Sequence, residues 1–411
     1  MDRIRQSPTD ARQPRISAAT ILLLAASCGL IVANIYYAQP LIGPIAASLG
    51  LAPHAAGLIV TMTQIGYAAG LVFLVPLGDL VENRKIVIVC VALTAIAVGS
   101  AALASSSAAF LASASAIGLG SAAVQIIVPL AAHLAPDAVR GRVVGAVTSG
   151  LMIGIMAARP VASFIASQTS WRVVFGASAF LMVALGLVLS RTLPVRKPQA
   201  RMSYGALIAS MGRLAAATPI LRLRAFYQSC LFAAFSLFWT TTPLLLAGPD
   251  YRLTQRGIAL FALAGVSGAV AAPIAGRLAD RGFSRPATGA AIILVALAFI
   301  ATMVTGQGSS LALSVLVGGA VAVDFGVQAN VVLGLRAIFA LAPEARGRLN
   351  GIYIATFFAA GALGSAVGGW AYAEGGWTLA SRIGLALPLI ALTRFVFRLA
   401  TRRGRSPLPR H

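Results

Sequence analysis

The sequence predicts an all-α integral membrane protein with 12 transmembrane helices in two six-helix halves. Three observations carry this prediction: an apolar composition that a soluble chain of this size does not sustain, apolar runs of bilayer length that recur along the chain, and a repeat that relates the two halves. The chain has 411 residues, 59% of them hydrophobic, with a mean hydropathy of +0.89. Only 10% are Asp, Glu, Lys or Arg, against about 25% in soluble domains. So few charges cannot cover a soluble 42.0 kDa protein. A cytosolic enzyme and a secreted domain are thereby excluded.

Runs of about 20 apolar residues cross a bilayer as helices. They are expected at 17–38, 57–79, 86–104, 108–131, 143–167, 172–191, 223–247, 257–279, 286–305, 310–335, 349–372 and 378–400, numbered here as spans 1 to 12. Ile16 to Ala38 carries no charge, which exceeds the roughly 7–15 residue apolar core of a signal peptide, so span 1 is expected to be retained. The organisation is then an N-tail (1–16), an N-terminal half (17–191), a basic linker (192–222), a C-terminal half (223–400) and a C-tail (401–411).

The charges orient these spans. Basic residues number 32 and acidic residues 10, for a net charge of +22. With the N-terminus inside, 27 of the 32 fall in inner segments. Arg172, Arg252, Arg256 and Arg382 fall outside, and Arg159 lies within a span. Such a bias places both termini in the cytoplasm. The basic excess is therefore a topology signal, and no nucleic-acid partner is expected.

Little in the chain suggests an enzyme or a metal protein. Cys28, Cys90 and Cys230 are isolated in apolar runs, and His54, His133 and His411 are scattered, so neither a disulfide framework nor a zinc site is expected. The two lysines, Lys85 and Lys197, have no phosphate-loop context. No cofactor and no enzymatic activity are expected.

The halves echo each other. Gly78-Asp79-Leu80 after span 2 matches Gly276-Arg277-Leu278 after span 8, offset by 198. Arg140-Gly141-Arg142 matches Arg346-Gly347-Arg348, and Gly145 and Gly351, then Trp171 and Trp377, keep the same offset of 206. Both halves start on the same side, so the repeat is parallel.

PLGDLVENRK at 76–85 and GRLADRGFSR at 276–285 resemble the paired loop signatures of the major facilitator superfamily. NIYYAQPL at 34–41, QIGYAAGLVFLVPLGDL at 64–80 and RGRLNGIYIATFFAAGALGSAVGGW at 346–370 resemble bacterial drug/proton antiporters, nearest the sugar- and purine-nucleoside-efflux-like branch. The resemblance covers about residues 20–400. It implies a multi-pass protein of the bacterial inner membrane with the major facilitator fold. It further implies a monomer driven by the proton gradient, with a small-molecule substrate and the lipid bilayer as partners. Two departures stand out. Ala114 occupies the place of an arginine four residues before Gly118, and Arg159-Pro160 replaces the Gly-Pro that usually ends the span 5 signature.

Asp324, near the centre of span 10, is the most informative residue. A carboxylate at mid-bilayer costs about 2.5–3.5 kcal/mol on insertion scales, so it must face a cavity or a partner. It is a candidate protonation site or substrate contact, or else a polar clamp between helices; Gln328 follows at i+4. Arg159 in span 5 is its candidate electrostatic partner or an anchor for an anionic or hydroxylated substrate, unless it snorkels outward. Asn34, Tyr37, Gln39, Gln64, Tyr67, Gln125, Trp239, Asn330, Tyr353 and Phe357 are candidates to line the cavity. Gly78, Asp79, Arg84 and Arg140, with Gly276, Asp280, Arg281 and Arg346, are candidates for gating loops, in which Asp79, Arg84, Asp280 and Arg281 can pair across the halves when the inner gate is shut. Gly66 and Gly70, Gly150 and Gly154, Gly265 and Gly268, and Gly361, Gly364 and Gly368 are expected to make close faces. The resemblance sets these faces between spans 2 and 11 and between spans 5 and 8.

The function expected is proton-coupled efflux of a small organic molecule by alternating access. A proton-coupled importer is the alternative within transport. A non-transporting sensor or scaffold is the alternative from another class.

Overall fold

The computed structural model describes residues 17–195, 203–305, 307–341 and 345–403. The N-tail 1–16 and most of the C-tail lie outside the described residues. The described chain is all-helical, without strands. Ten stretches meet the length and apolarity of a membrane crossing: Pro53–Asp79, Asn83–Leu103, Ser107–Leu134, Arg140–Gln168, Trp171–Thr192, Pro219–Ala247, Gln255–Asp280, Ser284–Val304, Ser310–Phe339 and Arg346–Thr401. Two local features bring these to the 12 crossings expected. The last stretch is two spans, 346–374 and 377–403, divided where Gly375 and Gly376 leave helical geometry, Gly376 at φ +57°. Glycine permits that left-handed turn without strain. The first crossing is split into helices Ala18–Ala33 and Ile42–Ser48.

The split in span 1 corrects the expected boundary of 17–38. Asn34 turns its side-chain amide onto the carbonyls of Leu30 and Ile31, at 2.9 and 3.2 Å. Pro40 then has no N–H to continue the helix, and a 3-10 turn, Gln39–Leu41, intervenes. Span 7 begins at Pro219, where a first-turn proline is well placed. The linker carries a helix of its own, Tyr204–Ala217, capped by the Ser203 hydroxyl. Thr254 and Ser309 cap spans 8 and 10 in the same way.

One end of the bundle carries both described termini and the linker, and is called here the terminal face; the other is the far face. The halves meet closely at the far face. Ser163 of span 5 donates to the Gln255 backbone carbonyl of span 8 at 2.9 Å. Thr61 of span 2 donates to the Ala362 carbonyl of span 11 at 3.0 Å. Gly57 and Gly369 bring the same two spans into backbone contact. Along span 5, exposure rises from buried Arg159 through the half-buried Met156, Met152 and Thr148 to exposed Gly145 and Gly141. The halves therefore part between spans 5 and 8 toward the terminal face, while spans 2 and 11 stay in contact.

The glycine faces lie elsewhere than expected. A Cβ on Gly150 or Gly154 would strike the Ala25 or Gly29 backbone of span 1, not span 8. Gly66 and Gly70 press on span 4 at Ser115 and Leu119, not on span 11. Gly364 presses on Ala233 of span 7, with Gly361 and Gly368 against the same helix. Of the glycines expected to make these faces, Gly265 and Gly268 alone face the opposite half, toward Arg159 and Met156. Most of these glycines thus bind helices within a half, where backbone proximity supplies packing that lipid cannot. Gly154→Leu should lower thermal stability in detergent by the cost of overpacking, about 1–3 kcal/mol. Gly145→Leu, at a position with nothing within 4 Å, should leave stability unchanged. Equal unfolding temperatures for the two variants would refute this assignment.

Candidate functional site

The two charges stranded in the membrane meet at the junction of the halves. Arg159 is 2% exposed and Asp324 7%. Arg159 Nη1 lies 3.5 Å from Asp324 Oδ1, a long contact for a charge-assisted pair. Trp239 Nε1 donates to the other carboxylate oxygen at 2.7 Å. Arg159 Nε donates to Gln39 Oε1 at 2.8 Å, so the break in span 1 supplies a ligand to the guanidinium. Three rings surround that guanidinium, with centroids 4.2 Å (Trp239), 5.0 Å (Phe235) and 5.4 Å (Tyr36) from Cζ. Away from water, such a contact is worth about 2 kcal/mol or more.

Two donors in this cluster lack a hydrogen-bond partner among the described residues: Arg159 Nη2 and Gln39 Nε2. Buried donors are normally satisfied. A pair of them beside an ion pair suits a small molecule that brings acceptor atoms.

Around the centre, the sequence candidates divide. Gln64 donates to Ser236 Oγ at 2.9 Å and accepts from Ser365 Oγ at 3.4 Å, joining spans 2, 7 and 11. Tyr67 accepts from Gln125 at 3.2 Å and packs on Phe358 with centroids 4.5 Å apart. Gln125 accepts in turn from Asn350 at 3.1 Å, across the halves. Gln328 reaches Met152 Sδ of span 5 at 3.5 Å. Tyr37 is half-buried at the break in span 1.

Asn34, Asn330 and Tyr353 are corrections. Asn34 accepts from Ser178 of span 6 at 2.5 Å, inside the N-terminal half. Asn330 donates to Gln228 of span 7 at 2.7 Å, inside the C-terminal half. Tyr353 is fully buried against Gly334 of span 10, and Phe357 meets it at 5.4 Å while packing on Phe232 at 4.8 Å. Hydropathy gives the depth of a residue and not the side of the helix it occupies; Asn34 and Asn330 tie helices together within a half, and the Tyr353 hydroxyl has no hydrogen-bond partner among the described residues.

The halves are parted at the terminal face, the state in which charges on these loops are separated rather than paired across the halves. Arg84 donates to the Ser190 carbonyl within the N-terminal half, and Asp280 pairs with Arg336 within its own half. Among the described residues, neither pairs across the interface in this conformation. Arg140 and Arg346 share one task. Each donates from Nε at 3.0 Å to a carbonyl that ends the preceding span, of Ala132 and Phe339 respectively, fixing the turns at Arg140 and Arg346. Gly78 rests beside Ile126 of span 4, and Gly276 faces Arg336.

Three residues of the centre escaped sequence reasoning as site residues. Tyr36 and Phe235 are ordinary in apolar runs, although Phe235 stands one turn before Trp239 and a cation nearby gives that spacing meaning. Gly265 lies in a 3-10 turn that interrupts span 8, Leu263–Ser267. A Cβ there would come within 2.7 Å of Arg159 Nη1, 3.3 Å of Trp239 Cζ2 and 3.4 Å of Asp324 Oδ1.

Comparison with known proteins agrees with this architecture. YgaY of Escherichia coli O157:H7, named an uncharacterised transporter, is 39% identical over 377 residues, 92% of this chain and 95% of that protein. "Probable transporter SCO4007" of Streptomyces coelicolor is 36% identical over 91% of this chain and 86% of that one. The nucleoside transporter NupG, crystallised as a point mutant, superposes with a TM-score of 0.76 at 15% identity, over 92% of this chain and 99% of that one. The human organic anion transporter MFSD10 gives 0.66 at 17% identity, over 91% and 98%. At such identities the two structures share the fold alone. The family model described as Major Facilitator Superfamily matches residues 21–323 and 225–411, and the chain, an all-helical multi-pass membrane transporter, belongs to that superfamily.

Proposed function

We propose that the protein is a proton-coupled secondary transporter that carries a small polar organic molecule with its proton by alternating access, its termini in the cytoplasm of a bacterial inner membrane. The observation that carries this reading is the pair of unpartnered donors, Arg159 Nη2 and Gln39 Nε2, beside the Arg159–Asp324 contact. Arginine does not lose its proton in proteins, whereas a carboxylate gains one readily. Ionised Asp324 engages Arg159 and Trp239. Protonation weakens its hold on Arg159, and the freed guanidinium, with Gln39, then binds acceptor or anionic groups of the substrate. Proton and substrate thus favour each other's binding, which is the linkage of a symporter. With both bound, the contact that ties span 5 to span 10 is relaxed, and the halves can rock about the site.

Efflux in exchange for protons is the second reading. The motifs at 64–80 and 346–370 that resemble drug/proton antiporters favour it. There, substrate and proton compete for one carboxylate, and the linkage has the opposite sign.

Affinity measured against pH separates the two. Ligands would come from a thermal-shift screen of nucleosides, sugars and organic acids, with uptake of the hits into proteoliposomes. For symport, affinity tightens as pH falls through the titration of Asp324, by up to about tenfold per pH unit for one linked proton. Asp324→Asn should bind without that dependence and lose accumulation driven by a proton gradient. Affinity that weakens as pH falls would assign antiport, and unchanged gradient-driven accumulation by Asp324→Asn would remove Asp324 from the coupling. Gly265→Val should reduce transport by at least about tenfold with normal expression, because its side chain displaces Arg159; wild-type transport by this variant would show that the cluster tolerates displacement.

A further inference from the structure

The inner arginines set the topology. Three of them have a further arrangement. Arg224 of span 7, Arg285 of span 9 and Arg398 of span 12 line one cavity of about 210 Å³ at the terminal face, closed on its fourth side by Ala337 of span 10. No Asp or Glu among the described residues lines this cavity. Among the described residues, none of the three arginines forms an ion pair. Arg224 Nη1 donates to Thr288 Oγ1 at 2.8 Å, and this bond holds the guanidinium at the cavity wall.

Like charges brought together on separate helices repel unless an anion sits among them. Guanidinium forks match the oxygens of a phosphoryl group in geometry as well as charge. The remaining lining is apolar: Ile220, Leu223, Tyr227, Phe395 and Leu399. Ile220 and Leu399 are each 39% exposed, and Phe226, Val396 and Phe397 extend the apolar surface along spans 7 and 12. A free phosphate would use the arginines and leave this wall idle. A phospholipid would use both, with its headgroup on the guanidiniums and its acyl chains along the exposed helices. The depth agrees, since Arg285 is the second residue of span 9 and the helix ends lie where headgroups lie.

We propose that this cavity binds the phosphoryl headgroup of an anionic phospholipid from the leaflet at the terminal face. Basic pockets between spanning helices are suited to such headgroups. The site lies within the C-terminal half and does not depend on the reading of the Arg159–Asp324 centre.

Native mass spectrometry of the delipidated full chain in detergent tests the proposal. The probes are phosphatidylglycerol, cardiolipin, phosphatidylcholine and inorganic phosphate. The wild type should retain one anionic phospholipid in preference to phosphatidylcholine. In Arg285→Gln/Arg398→Gln, affinity should fall roughly thirty-fold, or about 2 kcal/mol at 1.4 kcal/mol per factor of ten. Arg142→Gln/Arg191→Gln carries the same charge change on exposed residues of the other half and should bind as the wild type does. Arg285 is exposed and Arg398 half-exposed, so the cavity variant leaves the core intact, which gel filtration would verify. Equal lipid retention by the two double variants would overturn the proposal in favour of diffuse attraction. Displacement of the lipid by millimolar inorganic phosphate would overturn it in favour of a soluble-anion site.

Discussion

A permanent positive charge buried among the membrane-spanning helices is the constraint around which this protein is built. An arginine keeps its proton in proteins, and an isolated buried charge is prohibitively expensive. The local irregularities of the central spans serve it. Span 1 breaks so that Gln39 can accept from Nε, span 8 tightens into a 3-10 turn so that Gly265 leaves room for Nη1, and span 7 presents Phe235 and Trp239 on consecutive turns. The carboxylate that answers the charge comes from the other half. Compensation of Arg159 and apposition of the two halves are therefore one interaction.

The scaffold around this centre is symmetric and the chemistry is not. Span 5 binds span 1 through Gly150 and Gly154, and span 11 binds span 7 through Gly361, Gly364 and Gly368, the corresponding pairs of the repeat. Arg140 and Arg346 brace corresponding turns through like bonds to the chain behind them. At the centre, the N-terminal half offers a guanidinium and an amide, and the C-terminal half a carboxylate and an indole. Duplicated packing gives two rigid bodies, and unlike charges give them a reason to meet. On the proposed proton coupling, a contact that one proton breaks gives such bodies two states.

Much of this was legible in the sequence, for physical reasons. A bilayer demands long apolar runs, so the spans announce themselves, and a charge inside such a run is conspicuous, so Asp324 and Arg159 stand out. That they touch could not be read, because contact between residues 165 positions apart is settled by packing. For Asn34, Asn330 and Tyr353 the depth in the membrane is visible in the sequence and the helical face is not. The glycines signalled close approach correctly, while their partners came from within the halves. Tyr36 and Phe235 carry no signal until the cation beside them is known. The pairing of Arg84 and Asp280 within their own halves belongs to one conformation, which a sequence does not specify.

A double-mutant cycle on Arg159 and Asp324 tests the central claim most directly. Thermal or denaturant unfolding would be followed for Arg159→Leu, Asp324→Leu and the double variant in the same detergent. Removing one partner of a buried pair strands the other charge and costs about 3–5 kcal/mol, whereas removing both can be neutral or stabilising. The account predicts that the double variant is at least as stable as either single variant. Additive losses, with the double variant the least stable of the three, would contradict it.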